Sequence, residues 1–584
     1  MSDSYDLILR AARIVDGTGA APFEGDLAVS AGRIAAVAPG GGLAGRAARE
    51  IDARGLTLTP GFVDIHTHYD AQVTWDPHLF PSGYHGVTTA VLGNCGVGFA
   101  PARPSERDWL IQLMEGVEDI PGAALSEGIA WNWESFPEYL DALDGCELAL
   151  DVATQVPHAA VRAYVMGERG ARNEAATPED IDRMAAIVRE GMAAGALGFS
   201  TSRTIAHRAL DGEPVPGTFA AEDELFGIGS VLAELDTGVF EVAGAGAAGE
   251  DIAAPKKEID WMRRLSARIG RPVTFAMLQV DAAPELWRDL LEISKQAVAE
   301  GADIHPQVAG RPFGMLMGLQ TERHAWVDKP AYREIAHLPL GERVAALRDP
   351  ERKRRILEEP IDGEAGFNMV WAQYHQLFPL GRPMNYEPRE DESIEALAKQ
   401  AGREPAELLY ERMLEDDGRA MFLVPVLNYS YRSANPIYEM IHHPRAVLGL
   451  GDGGAHCALI CDASIPTFML THWVRDRSRG PRVPIEFAVQ RMTRDTARLY
   501  GLHDRGTLEV GMKADFNLID MEALELELPE AVDDLPAGGR RLMQKARGYR
   551  GTWVSGVEIL RDGEPTGARP GQLVRGAQDA PAGA

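Results

Sequence analysis

The stretch that decides the fold runs Pro60-Gly61-Phe62-Val63-Asp64-Ile65-His66-Thr67-His68. A short apolar run follows a Pro-Gly break and closes on two histidines one residue apart. Residues two apart on a strand project to the same face. His66 and His68 are therefore aimed together at the end of this strand. Two neutral imidazoles converging in this way make half of a metal site.

Working outward, seven more runs of this kind follow. Strands are expected at 62–66, 87–93, 148–154, 196–201, 239–243, 273–279, 303–308 and 447–452. Between most of them lie Ala-, Leu- and Glu-rich stretches with helical periodicity. Strand–helix alternation implies a parallel sheet, and eight repeats predict an α/β fold: a (β/α)8, TIM-like barrel over residues 61–496. Residues 310–446 separate the last two strands and include helical text (RVAALRDPERKRRILEE) and an apolar stretch (MFLVPVLNY). An insertion there sits at the barrel mouth and is expected to serve as a lid. Residues 1–60 and 497–584 read instead as short strands between Gly and Pro turns, and predict one small β-sandwich built from both ends. The closing GAQDAPAGA is expected to be a disordered tail.

Charge narrows the partners. The chain carries 58 Lys+Arg against 87 Asp+Glu, a net charge of −29. Such a surface repels phosphate backbones, so a small-molecule substrate is expected and nucleic acid is not. No apolar run is long enough for a membrane span, and the N-terminus lacks the pattern of a secretory leader. Four cysteines, Cys95, Cys146, Cys457 and Cys461, are too few for a disulfide framework in 584 residues, so a cytoplasmic setting is expected. Cys457 and Cys461 read as buried thiols rather than as a structural zinc pair. Helical ridges outside a barrel leave homo-oligomer formation open.

Several motifs together carry a resemblance. PGFVDIHTHYD (60–70) resembles the first-strand motif of the amidohydrolase superfamily. GVTTAVLGNCGVGFAP (86–101) resembles the second strand and loop of its D-aminoacylase branch, the N-acyl-D-amino-acid deacylases. GALGFSTS (195–202) is similar to that branch's fourth strand and GLGDGGAH (449–456) to its eighth. RDTARLYGLHDRGTLEVGMKADFNLID (494–520) is similar to the superfamily's return into the sandwich. The resemblance implies that His66, His68 and Cys95 bind a divalent metal, with zinc the expected ion. It implies that Asp452 touches the metal, takes a proton from the attacking water and passes it to the leaving nitrogen. The implied activity is hydrolysis of an amide C–N bond, with an N-acyl amino acid as the expected substrate. Another amide, an ester or a cyclic substrate is the alternative within the same chemistry, and a non-catalytic scaffold is the alternative outside it.

The chain departs from that branch at one place. The branch puts a histidine on each of strands five and six, whereas here these read GVFEVAGAG (238–246) and PVTFAMLQVD (272–281). The expectation is therefore one metal ion, with a second left open and Glu241 or Gln279 as the oxygen ligands on offer. A lysine near the sixth strand is also replaced, by Gln279. Arg203 and Arg311 follow strand ends and present the planar fork that matches a substrate carboxylate. His305 is expected to orient substrate, and His207 and His456 are further candidates near the mouth.

Overall fold

The computed structural model describes residues 4–360 and 368–581. All eight expected core strands are present: β1 (Phe62–Asp64), β2 (Val87–Leu92), β3 (Asp151–Thr154), β4 (Gly198–Ser202), β5 (Val239–Ala243), β6 (Val273–Ala276), β7 (Ile304–Val308) and β8 (Val447–Leu448). All pair in parallel. Every residue of β2 and β5 is buried, which is why these strands read as near-continuous β-branched and apolar runs.

The ladders form two sheets rather than one unbroken ring. β1, β2 and β3 make a three-stranded sheet. β4 to β8 make a six-stranded one with the two-residue strand Val156–Pro157 at its edge. At one seam the chain runs straight from β3 into that edge strand, and the Leu197 N–H donates to the Thr154 carbonyl at 2.9 Å. At the other seam Thr67 bridges Gly453 in parallel. There the His68 N–H donates to the Gly453 carbonyl at 2.7 Å, and the Asp452 N–H to the His66 carbonyl at 3.1 Å. This seam sets His66, His68 and Asp452 side by side.

Helices separate the strands, and their ends follow local chemistry. Before Pro178–Ala194, the Thr177 side chain accepts from the Asp180 N–H while Asp180 reaches back to Thr177. This reciprocal cap satisfies two orphan donors. Gly195, at φ +116°, ends the helix in a conformation that favours glycine and feeds β4.

The two ends of the chain meet in a nine-stranded sheet. Thr57–Pro60 runs antiparallel to Phe516–Ile519, with Leu58 opposite Leu518. Leu7, Leu9, Leu27, Leu58, Phe516 and Trp553 belong to a buried cluster of their own. The segment 310–446 also has its own core, around Trp326, Tyr332, Leu409 and Phe422. The expected apolar stretch is the strand Phe422–Leu427, paired with Phe313–Met317. The expected tail is docked for part of its length: Gln578 donates its N–H to the Gly501 carbonyl and accepts from His503, both at 2.9 Å. Its last three residues, 582–584, lie outside the described residues. Among the described residues no helix is long and apolar enough to cross a membrane.

Candidate active site

His66, His68 and Cys95 are buried, and one ligand atom from each lies within 4.8 Å of the others. The Cys95 Sγ is 3.3 Å from His66 Nε2. On the far side of the ring, His66 Nδ1 is 2.8 Å from Gln307 Oε1. An amide oxygen there accepts the Nδ1 proton and leaves the Nε2 lone pair facing the thiol. Burial pulls His66 down to about 4, against the opposing pull of Gln307. Burial, aided by His66, His456 and His207, holds His68 well below the usual histidine range. Burial thus favours the neutral form of both rings, the form in which an imidazole binds metal.

Cys95 reaches the site through a tight loop. Its own φ is +54°, a left-handed conformation that a side-chain-bearing residue adopts only when its surroundings hold it. The Cys95 N–H donates to Glu241 Oε2 at 2.9 Å, and the Gly96 N–H to Ser200 Oγ at 3.1 Å. Asn94 ties the same loop to the Thr67 carbonyl at 3.1 Å. A Cβ on Gly96 would sit 2.7 Å from the Ser202 nitrogen, so the loop passes over β4 with no room for a side chain.

Three carboxylates close around these ligands. Asp452 Oδ1 is 3.4 Å from His66 Nε2, and Asp452 also has a positive φ, +46°. Glu118, the last residue of the helix Arg107–Glu118, brings Oε1 to 3.3 Å from His68 Nδ1. Glu241 is fully buried on β5, and its Oε1 has no hydrogen-bond partner. Burial raises Asp452 well above the carboxylate range, with Asp462 and Asp64 adding to it. Burial also raises Glu118, helped by Asp452, Asp70 and Glu241. Glu241 is pushed up to about 8 by burial, against the pull of the Cys95 N–H and with Asp452 adding to it. The Cys95 thiol is pushed up by burial and then by Glu241, Glu118 and Asp452. Among the described residues, none of the three carboxylates pairs with a lysine or arginine. Acidic groups gathered without a counter-charge, beside two neutral imidazoles, are what a divalent cation stabilises.

The other sequence candidates have partners of their own. Gln279 lies past the end of β6 and is a tie, not a ligand: its amide donates to the Pro284 carbonyl at 3.1 Å and accepts from the Ser430 N–H at 3.2 Å. Arg203 pairs with Glu258 at 3.2 Å and donates to the Ala220 carbonyl. Arg311 is buried against Asp462 at 2.8 Å and donates to Ser464 Oγ. Both guanidinium groups spend their donors inside the protein. His305 was expected at a strand end but is the second residue of β7. It pairs with Asp303 at 2.9 Å and with Arg445, away from the ligand cluster. His207 and His456 do approach the site. His207 Nδ1 meets Ser202 Oγ at 3.0 Å, and His456 Nε2 is 3.9 Å from Glu118 Oε2. Glu118 and Gln307 were missed from sequence. Gln307 had a signal, since it lies nearer than His305 to the ligand-bearing end of β7. Glu118 had none, being one acidic residue among several at a helix end.

The Amidohydrolase family model matches residues 49–560. D-aminoacylase of Alcaligenes xylosoxydans xylosoxydans is 27% identical over 98% of this chain and 98% of its own length. N-acyl-D-aspartate deacylase of the same organism is 28% identical over 97% and 95%. Among solved structures, N-acyl-D-glutamate deacylase of Bordetella bronchiseptica, complexed with zinc and a phosphonate mimic of the tetrahedral intermediate, superposes with a TM-score of 0.64. It is 22% identical and covers 98% of this chain and 100% of that one, a likeness of fold.

Proposed function

This chain belongs to the amidohydrolase family, in the neighbourhood of its D-aminoacylase branch, and from that premise we propose that it removes the acyl group from N-acylated amino acids. It is a metal-dependent hydrolase of C–N bonds other than peptide bonds. The metal would be a single zinc ion, which His66, His68 and Cys95 would hold together with Asp452. The observation that carries this reading is the buried cluster of two imidazoles and a thiol within 4.8 Å, with a carboxylate 3.4 Å from one of the imidazoles. The zinc complex of the structural relative supports the choice of metal.

A cation bound here supplies Lewis acidity toward water and the scissile carbonyl. The rest is the work of the chain. Gln307 holds His66 in the tautomer that presents Nε2. Glu241 fixes the Cys95 backbone so that the thiol faces His66. Asp452 Oδ1 takes the proton of the attacking water and delivers it to the departing nitrogen.

In this reading the two parallel sheets are arcs of one (β/α)8 barrel, joined at the Thr67–Gly453 bridge and through Thr154. The barrel spans residues 61–496 with 310–446 inserted. The sandwich takes residues 1–60 and 497–584. The four free cysteines, one of them a ligand, suit the cytoplasm.

A second reading concerns the substrate. Arg203 and Arg311 are occupied by Glu258 and Asp462, which favours an amide or cyclic compound that brings no carboxylate to be gripped. Metal analysis and a substrate panel decide. About one zinc per chain, lost in the His66→Ala/His68→Ala double variant, together with turnover of N-acyl amino acids, is the expected result. A wild-type protein that takes up no zinc refutes the mechanism. Zinc uptake with turnover confined to uncharged amides or cyclic compounds selects the second reading.

A further inference from the structure

Two histidines face the proposed metal, and each has a second ring nitrogen that must be satisfied. For His66 the partner is the neutral amide of Gln307, at 2.8 Å. For His68 the nearest acceptor is a carboxylate. Its Nδ1 is 3.3 Å from Glu118 Oε1, within ion-pair distance, and among the described residues neither atom has a hydrogen-bond partner. Both side chains are no more than 3% exposed, so water is a poor substitute for either.

The main chain fixes Glu118 in place. Its carbonyl accepts the His456 N–H, which ties the helix end to the loop that carries Asp452. Its second oxygen, Oε2, lies 3.9 Å from His456 Nε2. The next residue, Asp119, turns the chain at φ +52° and pairs with Arg323 at 3.3 Å. The carboxylate is thus delivered to His68 from an anchored helix end.

We infer that Glu118 is a positioning residue, which accepts the Nδ1 proton of His68 and so commits the opposite nitrogen, Nε2, to the metal. A carboxylate acceptor makes the imidazole a stronger donor to a metal than an amide acceptor does. This rests on the metal site proposed above. It goes further by giving the two histidines unequal parts, set by their partners: Glu118 for one and Gln307 for the other.

The test measures zinc affinity of the full-length protein by competition with a chromogenic chelator, beside the melting temperature of the metal-free form. Wild type, Glu118→Gln, Glu118→Asp and the His66→Ala/His68→Ala double variant are compared. Glu118→Gln is expected to bind zinc 10- to 100-fold more weakly while the metal-free protein melts no lower. Glu118→Asp, which keeps the charge, is expected to recover part of the loss. Zinc affinity of Glu118→Gln within twofold of wild type overturns the inference and leaves the metal site standing. A fall in metal-free melting temperature that parallels the loss of affinity also overturns it, because Glu118 is then a structural tie only. A wild type that binds no zinc, like the double variant, overturns both.

Discussion

Replacing Glu241 by glutamine should stabilise the metal-free protein at neutral and alkaline pH while weakening its hold on zinc. Folded, the carboxyl is pushed up to about 8 by burial, with Asp452 adding to it; unfolded, it returns to 4.5. The sign follows from linkage. Below pH 4.5 both states hold the proton and the group costs nothing. Between 4.5 and about 8 the folded state keeps a proton that the unfolded state releases, so each pH unit costs about 1.36 kcal/mol. The penalty is about 3 kcal/mol at pH 7 and levels off near about 5 kcal/mol above pH 8. Glutamine removes it and keeps an oxygen for the Cys95 N–H, now accepted by Glu241 at 2.9 Å. Its NH2 group replaces Oε1, which has no partner, and a buried unsatisfied donor costs about 1–3 kcal/mol. The net gain is roughly 0–2 kcal/mol at pH 7, reversing below pH 5. Urea unfolding of metal-stripped wild type and variant at pH 5, 7 and 8.5 measures it. A difference that does not change with pH, or a variant less stable at pH 8.5, refutes the argument. With zinc loaded the order should invert, since the ionised carboxylate then faces a cation.

Other substitutions address separate links in the argument. Asp452→Asn should keep its zinc and lose about 10²–10⁴ in kcat, the range for a lost general base; mass spectrometry and initial rates check the two halves, and full activity removes Asp452 from the mechanism. Gly96→Ala forces a Cβ to 2.7 Å from the Ser202 nitrogen at φ +69°; a loss of about 2 kcal/mol or more and a displaced thiol are expected, read by thermal melting and by the thiolate band of the cobalt-substituted protein. Asp151→Asn strips a buried acceptor from Arg505 at 2.6 Å and Lys513 at 2.9 Å, and should cost about 3–5 kcal/mol. Burial opposes ionisation of Asp151, but Lys513 and Arg505 outweigh it and hold the group below 3.8. Its contribution is therefore complete above pH 3.8 and fades as pH falls through the lower folded value, so the variant's deficit should shrink in acid.

What could be read from the sequence depended on how far apart the interacting residues lie. The H-x-H pair was legible because strand geometry alone aims His66 and His68 together. The eight strands were legible as runs, but not where they stop. β8 ends at Leu448 rather than at 452 because Leu450 and Asp452 take left-handed conformations, and periodicity carries no sign of that. Cys95 was legible only through resemblance, since G-N-C-G reads equally well as an ordinary turn. The arginines show the limit most sharply. Guanidinium chemistry recommends Arg203 and Arg311 for a carboxylate, and each does hold one, but it is Glu258 or Asp462 from a remote part of the chain. Glu118 is the converse, an unremarked helix-end residue given its part by the loop folded against it.

The departure at strands five and six acquires a physical meaning from these contacts. A second metal ion needs its own donors, and Glu241 and Gln279, the two oxygen groups on offer for one, have gone separate ways. On β5, Glu241 stays in the site but spends one oxygen on the Cys95 backbone. Beyond β6, Gln279 has left it. Its backbone N–H donates to Asn428 at 2.7 Å, its carbonyl accepts the Asn428 N–H at 2.9 Å, and its side chain accepts from Ser430. All three contacts fasten the barrel to the inserted segment. Gln279 is a strap to the inserted segment, and Glu241 braces the thiol. With those donors committed to support, His66, His68, Cys95 and Asp452 are what is left, which supports the proposal of a single ion. A zinc titration that saturates at two per chain would contradict this, and would point to the free oxygen of Glu241 as an additional ligand.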